Sequence, residues 1–232
     1  MEKGRGWVML YALTVAGVLL TAKLGSHAVT VMSENAPVIR QHTVVIDAGH
    51  GGVDGGATSC TGKLESGYNL EIALRLRDLM ELLGHETRMI RTTDESVYTS
   101  GDSIAEKKIS DLRERVRRIR QETAPLLLSI HQNYFPDPQY SGAQVFYAGT
   151  AGSRELAEEV QRSLGKLDPS NRRGAKKSTG VYLMEQIECP GILLECGFLS
   201  NRREEALLGT PAYQKRLCCA VAAAVDRWIP DT

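Results

Sequence analysis

Three short apolar runs in this chain end on an ionisable side chain: TVVIDAGH closes on His50, LLLSIH on His131 and GILLE on Glu195. Each run is short and rich in Val, Ile or Leu, which suits strands buried on both faces. The segments around them have helical spacing. Leu70, Ala73, Leu76, Met80 and Leu83 recur at intervals of three and four after Ser66, a candidate cap, and before Gly84, a stop signal. Ile109, Leu112, Val116 and Ile119 form one apolar stripe along 102–122, and 153–164 and 211–228 read as two more helices. Further strands are expected at 86–91 and 143–148. Strands alternating with helices predict an α/β fold, a single domain with a twisted, mostly parallel or mixed sheet flanked by helices on both faces. In open sheets of this kind the carboxyl ends of the strands share one rim where sites collect. The topology therefore predicts that His50, His131 and Glu195 meet.

A chain of 232 residues with 42% hydrophobic content can bury one sizeable core. Lysine plus arginine equals aspartate plus glutamate at 28 each, so overall charge gives no reason to expect nucleic acid as a partner. The arginines between Arg113 and Arg120 have acidic residues among and around them and read as a solvated helix face. The five cysteines have no CxxC spacing and an odd count, which argues against a zinc knuckle or a disulfide framework; most are expected as small buried hydrophobes. Lys3 and Arg5 precede an apolar run over 7–22, so 1–28 is expected to be an export signal or membrane anchor, with Ser26-His27-Ala28 as a small-x-small triplet. Residues 29–41 read as a linker and 42–232 as the folded domain. Membrane contact is expected only through the N-terminal segment.

His50 sits among Gly49, Gly51 and Gly52. A phosphate cradle is excluded, because no GK[ST] follows and Asp54 stands where a dinucleotide fingerprint needs its third glycine. His27, His42 and His85 lack the strand-end setting of His50 and His131. Two imidazoles and a carboxylate with an open fourth position form a catalytic zinc pattern. Glu65, 15 residues after His50, is the candidate third ligand. Hydrogen-bonded loop histidines are the alternative reading of the same residues.

The motifs IDAGHGGVDGGA (46–57), KLESGYNLEIA (63–73), SIHQN (129–133) and LLECGFLSN (193–201) resemble, in this order, those of the zinc-dependent N-acetylmuramoyl-L-alanine amidases, the amidase type 3 family. The resemblance spans about 43–230. It implies that His50, Glu65 and His131 bind Zn2+, that Glu195 is the catalytic carboxylate, and that the substrate is peptidoglycan, cut between the lactyl group of muramic acid and L-alanine. Ala48 and Gly55 depart from the prolines common in the family, and Cys196 from a small or β-branched residue. Within the family the chain looks like the germination-specific amidases of spore formers, which implies cortex maturation through muramic δ-lactam formation, an exported location at the wall or cortex, and a possible activating protein partner. Gly49, Gly51 and Gly52 are expected to take positive φ and to keep side chains off the glycan, and Asp47, Asn69 and Asn133 are candidates to orient the ligands. Two other functions remain open at this point: a zinc peptidase acting on stem peptides, and a catalytically silent wall-binding or activator protein.

Overall fold

A computed structural model describes residues 42–229, so the expected leader and linker, and His27, lie outside the described residues. The first strand, β1 (Thr43–Ala48), pairs in parallel with β2 (Glu86–Met89) on one side and with β3 (Pro125–Asn133) on the other. On the far side of β3 lies β6 (Gly191–Phe198), also parallel, followed by β4 (Gln144–Tyr147), which runs antiparallel to β6, and the two-residue β5 (Lys176–Lys177). The order β2-β1-β3-β6-β4-β5 makes a six-stranded mixed sheet whose central strands are parallel.

Side-chain alternation along the strands explains the two layers. Val44, Ile46 and Ala48 of β1, Leu126, Leu128 and Ile130 of β3, and Ile192 and Leu194 of β6 belong to one core. That core is covered by α1 (Glu65–Leu82), α3 (Ser153–Leu167) and α6 (Pro211–Trp228). The intervening residues Val45, Leu127 and Leu193 face a smaller core under α2 (Ile104–Arg120) and the short α4 (Tyr182–Gln186). A further short helix, α5 (Arg202–Leu208), follows β6. By parity, His131 and Glu195 share the face of Leu127 and Leu193, the more thinly covered one, which has room for a site at its carboxyl end.

The observed elements correct several expectations. Ser66 is not a cap: α1 begins at Glu65 behind Leu64, which makes no side-chain cap bond, and Ser66 is a buried first-turn residue. The first backbone N–H groups are instead satisfied by the preceding loop, Glu65 N bonding Ala57 O at 2.8 Å and Ser66 N bonding Gly55 O at 3.1 Å. The segments β5, α4 and α5 are too short to carry a legible period. The arginine-rich face of α2 is partly internal, since Arg115 is buried on Asp47 and Asp111, while Arg117 and Arg118 both grip Glu114. All five cysteines are free, with Cys189, Cys196 and Cys218 buried and Cys60 and Cys219 exposed. No helix among the described residues is long and apolar enough to cross a membrane.

Candidate metal and catalytic site

The carboxyl ends of β1 and β3 and the first residue of α1 bring His50, Glu65 and His131 together, with one donor atom from each lying within 4.8 Å of the others. Glu65 is the centre of the group. Its Oε2 lies 3.3 Å from His50 Nε2 and its Oε1 lies 3.1 Å from His131 Nδ1. The two contacts fall on different oxygens, so the Glu65 carboxylate faces both imidazoles at once.

Each ligand candidate is held from behind. Asp54 Oδ2 meets His50 Nδ1 at 3.0 Å, which leaves Nε2 for the centre, the arrangement by which a carboxylate sets the tautomer of a ligating histidine. Glu65 accepts from Ala57 N at 2.9 Å, from Gln132 N at 3.1 Å and from Asn69 Nδ2 at 3.2 Å. Asn69 in turn accepts from Gln132 Nε2 at 3.2 Å and donates to Gly49 O at 3.1 Å. Asn69 therefore does orient a ligand candidate, as expected. Asp47 acts at one remove, binding Ser129 Oγ and Arg115. Asn133 differs from expectation: among the described residues its side chain makes no hydrogen bond to a ligand candidate, and its carbonyl accepts from Leu199 N at 2.8 Å. Asp54, Gln132, Arg91 and Arg115 are further supports of the site. Asp54 alone had a signal, a carboxylate four residues after a strand-end histidine.

The glycines divide by geometry. Gly51 and Gly52 have φ of 131° and 57°, and His50 itself has φ of 60°, left-handed backbone that costs a side-chain-bearing residue about 1–2 kcal/mol. Gly49 does not take positive φ. It is glycine because a Cβ there would lie 2.2 Å from His131 Nε2, so the imidazole packs directly on bare backbone.

The imidazoles and carboxylates of the cluster shift one another's titration. Burial opposes charge on His50, yet its bonds to Asp54 and Glu65 outweigh it and lift the imidazole to about 9. Burial likewise pushes Glu65 up, but His131 and His50 hold it well below the usual carboxylate range. Glu195 behaves oppositely. Burial raises it, His131 and His50 pull it down, Glu65 repels it, and it stands at about 7. It is the register partner of His131 on the neighbouring strand, and its Oε2 is shielded from solvent with no hydrogen-bond partner among the described residues. Leu112, Val181, Leu183 and Leu193 give the adjoining cleft an apolar wall.

Residues 44–227 match the family model described as N-acetylmuramoyl-L-alanine amidase, Amidase_3. The chain belongs to this amidase family. It is 38% identical over 191 residues to the germination-specific N-acetylmuramoyl-L-alanine amidase of Bacillus subtilis, covering 81% of this chain and 80% of that one. Its fold superposes on the CwlD amidase from Clostridioides difficile, solved in complex with the GerS lipoprotein, with a TM-score of 0.77 and 34% identity, covering 80% of this chain and 97% of that one. An N-acetylmuramoyl-L-alanine amidase from Clostridium difficile 630 superposes with a TM-score of 0.68 at 29% identity, covering 80% and 95%. This amidase is therefore an enzyme that hydrolyses the N-acetylmuramoyl–L-alanine amide.

Proposed function

We propose that this amidase is a zinc hydrolase in which His50, Glu65 and His131 hold the ion and Glu195 is the catalytic carboxylate. The observation that carries the reading is the convergence of two imidazoles and an ionised carboxylate within 4.8 Å, beside an unpartnered buried carboxylate oxygen on the next strand. An amide resists hydrolysis because its carbonyl is resonance-stabilised and its amine is a poor leaving group. Zinc in this site supplies Lewis-acid polarisation of the carbonyl and makes water a stronger acid. Glu195 takes a proton from the attacking water and returns it to the departing L-alanine nitrogen. Its place as the register partner of His131, with one oxygen unpartnered, leaves Glu195 free for both transfers. His50, with Asp54 behind it, and Glu65, with Asn69 and Gln132 behind it, keep the donors in place throughout. The apolar wall of Leu112, Val181 and Leu183 limits water beside the reacting bond.

The substrate in this reading is peptidoglycan, and its similarity to the germination-specific enzyme of Bacillus subtilis supports the spore cortex as the setting, where removal of the stem peptide precedes muramic δ-lactam formation. The enzyme acts outside the cytoplasmic membrane, carried there by residues 1–28. The related CwlD amidase was solved with a lipoprotein, which supports an activating protein partner for this chain as well.

The test is digestion of purified cortex and vegetative peptidoglycan, with and without a zinc chelator, and identification of the products by mass. Chelator-sensitive release of intact stem peptides with a free L-alanine amine is expected, with faster release from cortex. Glu195→Gln should lower turnover by about 10²- to 10⁴-fold with zinc still bound. Cleavage inside the stem peptide, or near-normal turnover of the Gln variant, would refute the assignment.

A further inference from the structure

Arg91 is only 2% exposed and makes no ion pair among the described residues. Burying a guanidinium without a contacting carboxylate is expensive, and such a group persists only where other acceptors take its donors. Backbone carbonyls take four of the five here. Nε donates to Ala48 O at 2.8 Å, Nη2 to Gly49 O at 3.0 Å and to Ser66 O at 2.9 Å, and Nη1 to Thr93 O at 2.9 Å.

The identity of those carbonyls matters more than their number. Ala48 and Gly49 immediately precede His50, and Ser66 immediately follows Glu65. One rigid planar group thus spans the two backbone segments that deliver two of the three ligand candidates. The fourth carbonyl ties in the 93–96 loop, which backs the remainder of the His50 turn through Ser96 Oγ to Gly51 O at 2.6 Å and Gly52 N to Asp94 Oδ1 at 3.1 Å. From the opposite side Arg115 Nη2 takes His50 O at 2.7 Å. The left-handed conformation of His50 is held on both flanks.

We propose that Arg91 is a positioning residue for the metal centre: its guanidinium sets the backbone of His50 against that of Glu65, so that the two donors are already spaced for the ion before it binds. This rests on the metal reading above. Lysine cannot substitute, because a point ammonium on a flexible stem lacks the fixed fork that reaches carbonyls in three directions.

The experiment measures the zinc dissociation constant of the full chain by chelator competition, with the visible spectrum of the cobalt-substituted protein as a second readout. It compares wild type, His50→Ala, Arg91→Lys, Arg91→Gln and Val160→Ala, the last removing buried volume in α3 away from the site. Both Arg91 variants are expected to bind zinc roughly 10- to 100-fold more weakly, the size of effect seen when groups that orient ligands are lost. Their cobalt spectra should change, whereas Val160→Ala should lower Tm and leave zinc affinity within about twofold of wild type. If an Arg91 variant folds poorly, the comparison is repeated in sucrose, which favours the folded state without supplying donors. Wild type binding zinc no better than His50→Ala would overturn the metal reading and the positioning role with it. Wild type binding zinc well, with Arg91→Lys equal to it in affinity and spectrum, would leave the metal reading standing and overturn the role of Arg91.

Discussion

Gly49→Ala should empty the proposed metal site without replacing any of its proposed ligands. The added Cβ would stand 2.2, 2.3 and 2.7 Å from Nε2, Cε1 and Cδ2 of His131. Comfortable contact for such atoms is about 3.5–4.0 Å. The imidazole must therefore recede by more than about 1 Å, or β1 must separate from β3. Neither movement is easy. The strands are locked in parallel register from Thr43 to Ala48, and Gly49 N extends the ladder with a 3.0 Å bond to Ile130 O. A workable metal site tolerates about 0.2 Å in its bond lengths, and a misplacement of about 1 Å can cost on the order of 10²-fold in rate. Overpacking adds about 1–3 kcal/mol of destabilisation. Gly67→Ala is the matched control, since Gly67 lies in α1 two residues from Glu65, and a Cβ there meets nothing within 4 Å. It should keep metal and activity and gain up to about 1 kcal/mol from helix propensity. Zinc content by elemental analysis, with turnover on purified peptidoglycan and thermal melts of the three proteins, reads all of this. Wild-type zinc content and turnover in Gly49→Ala would show that His131 does not pack on that backbone, and the site would have to be redrawn.

Other consequences reach beyond the ligands. Glu205 Oε1 accepts from Tyr68 OH and Thr61 Oγ1, each at 2.5 Å, and from Ser59 Oγ at 3.3 Å, pinning the loop before Glu65 to α5. Tyr68→Phe removes one bond to a charged group, a loss of about 1.5–3 kcal/mol, so Tm should fall by roughly 3–12 °C; an unchanged Tm would mean that the bond contributes nothing net. Asp47 is pushed up by burial but held below its ordinary value by Arg115 and Ser129. Its folded pKa is depressed, so the stability it confers is complete above an unfolded pKa of about 3.9 and is lost as pH falls through the lower folded value. Denaturant melts of Asp47→Asn and wild type should therefore differ most near neutrality and converge in acid, and a gap independent of pH would contradict the ion pair. A thiol reagent should label Cys60 and Cys219 in the native enzyme and reach Cys189, Cys196 and Cys218 only after unfolding, because those three are buried. Rapid native labelling of all five would refute that packing.

Much of the architecture can be read along the chain because it rests on local signals. The apolar runs of β1, β3 and β6 and the three- and four-residue spacing in α1, α2, α3 and α6 place the main elements and the site candidates His50, His131 and Glu195 at strand ends. The convergence of those candidates follows from a general property of parallel sheets. Ser66 has the residue type of a cap but does not serve as one, since the first N–H groups of α1 are satisfied by Ala57 and Gly55 through a loop whose path no propensity encodes.

The sequence by itself determined an α/β chain whose histidine and glutamate candidates lie in four ordered motifs, because strand and helix periods and residue chemistry are local quantities. Only the tertiary structure decided which face those side chains share, which nitrogen of each histidine meets Glu65, and which groups hold them. Gly49 looks like a turn glycine until His131 arrives from 82 residues away to lie against it. Arg91 looks like the end of an edge strand until the fold closes four carbonyls around it. Such contacts are made between segments distant in the chain, where distance, burial and hydrogen-bond direction exist only once the core has packed.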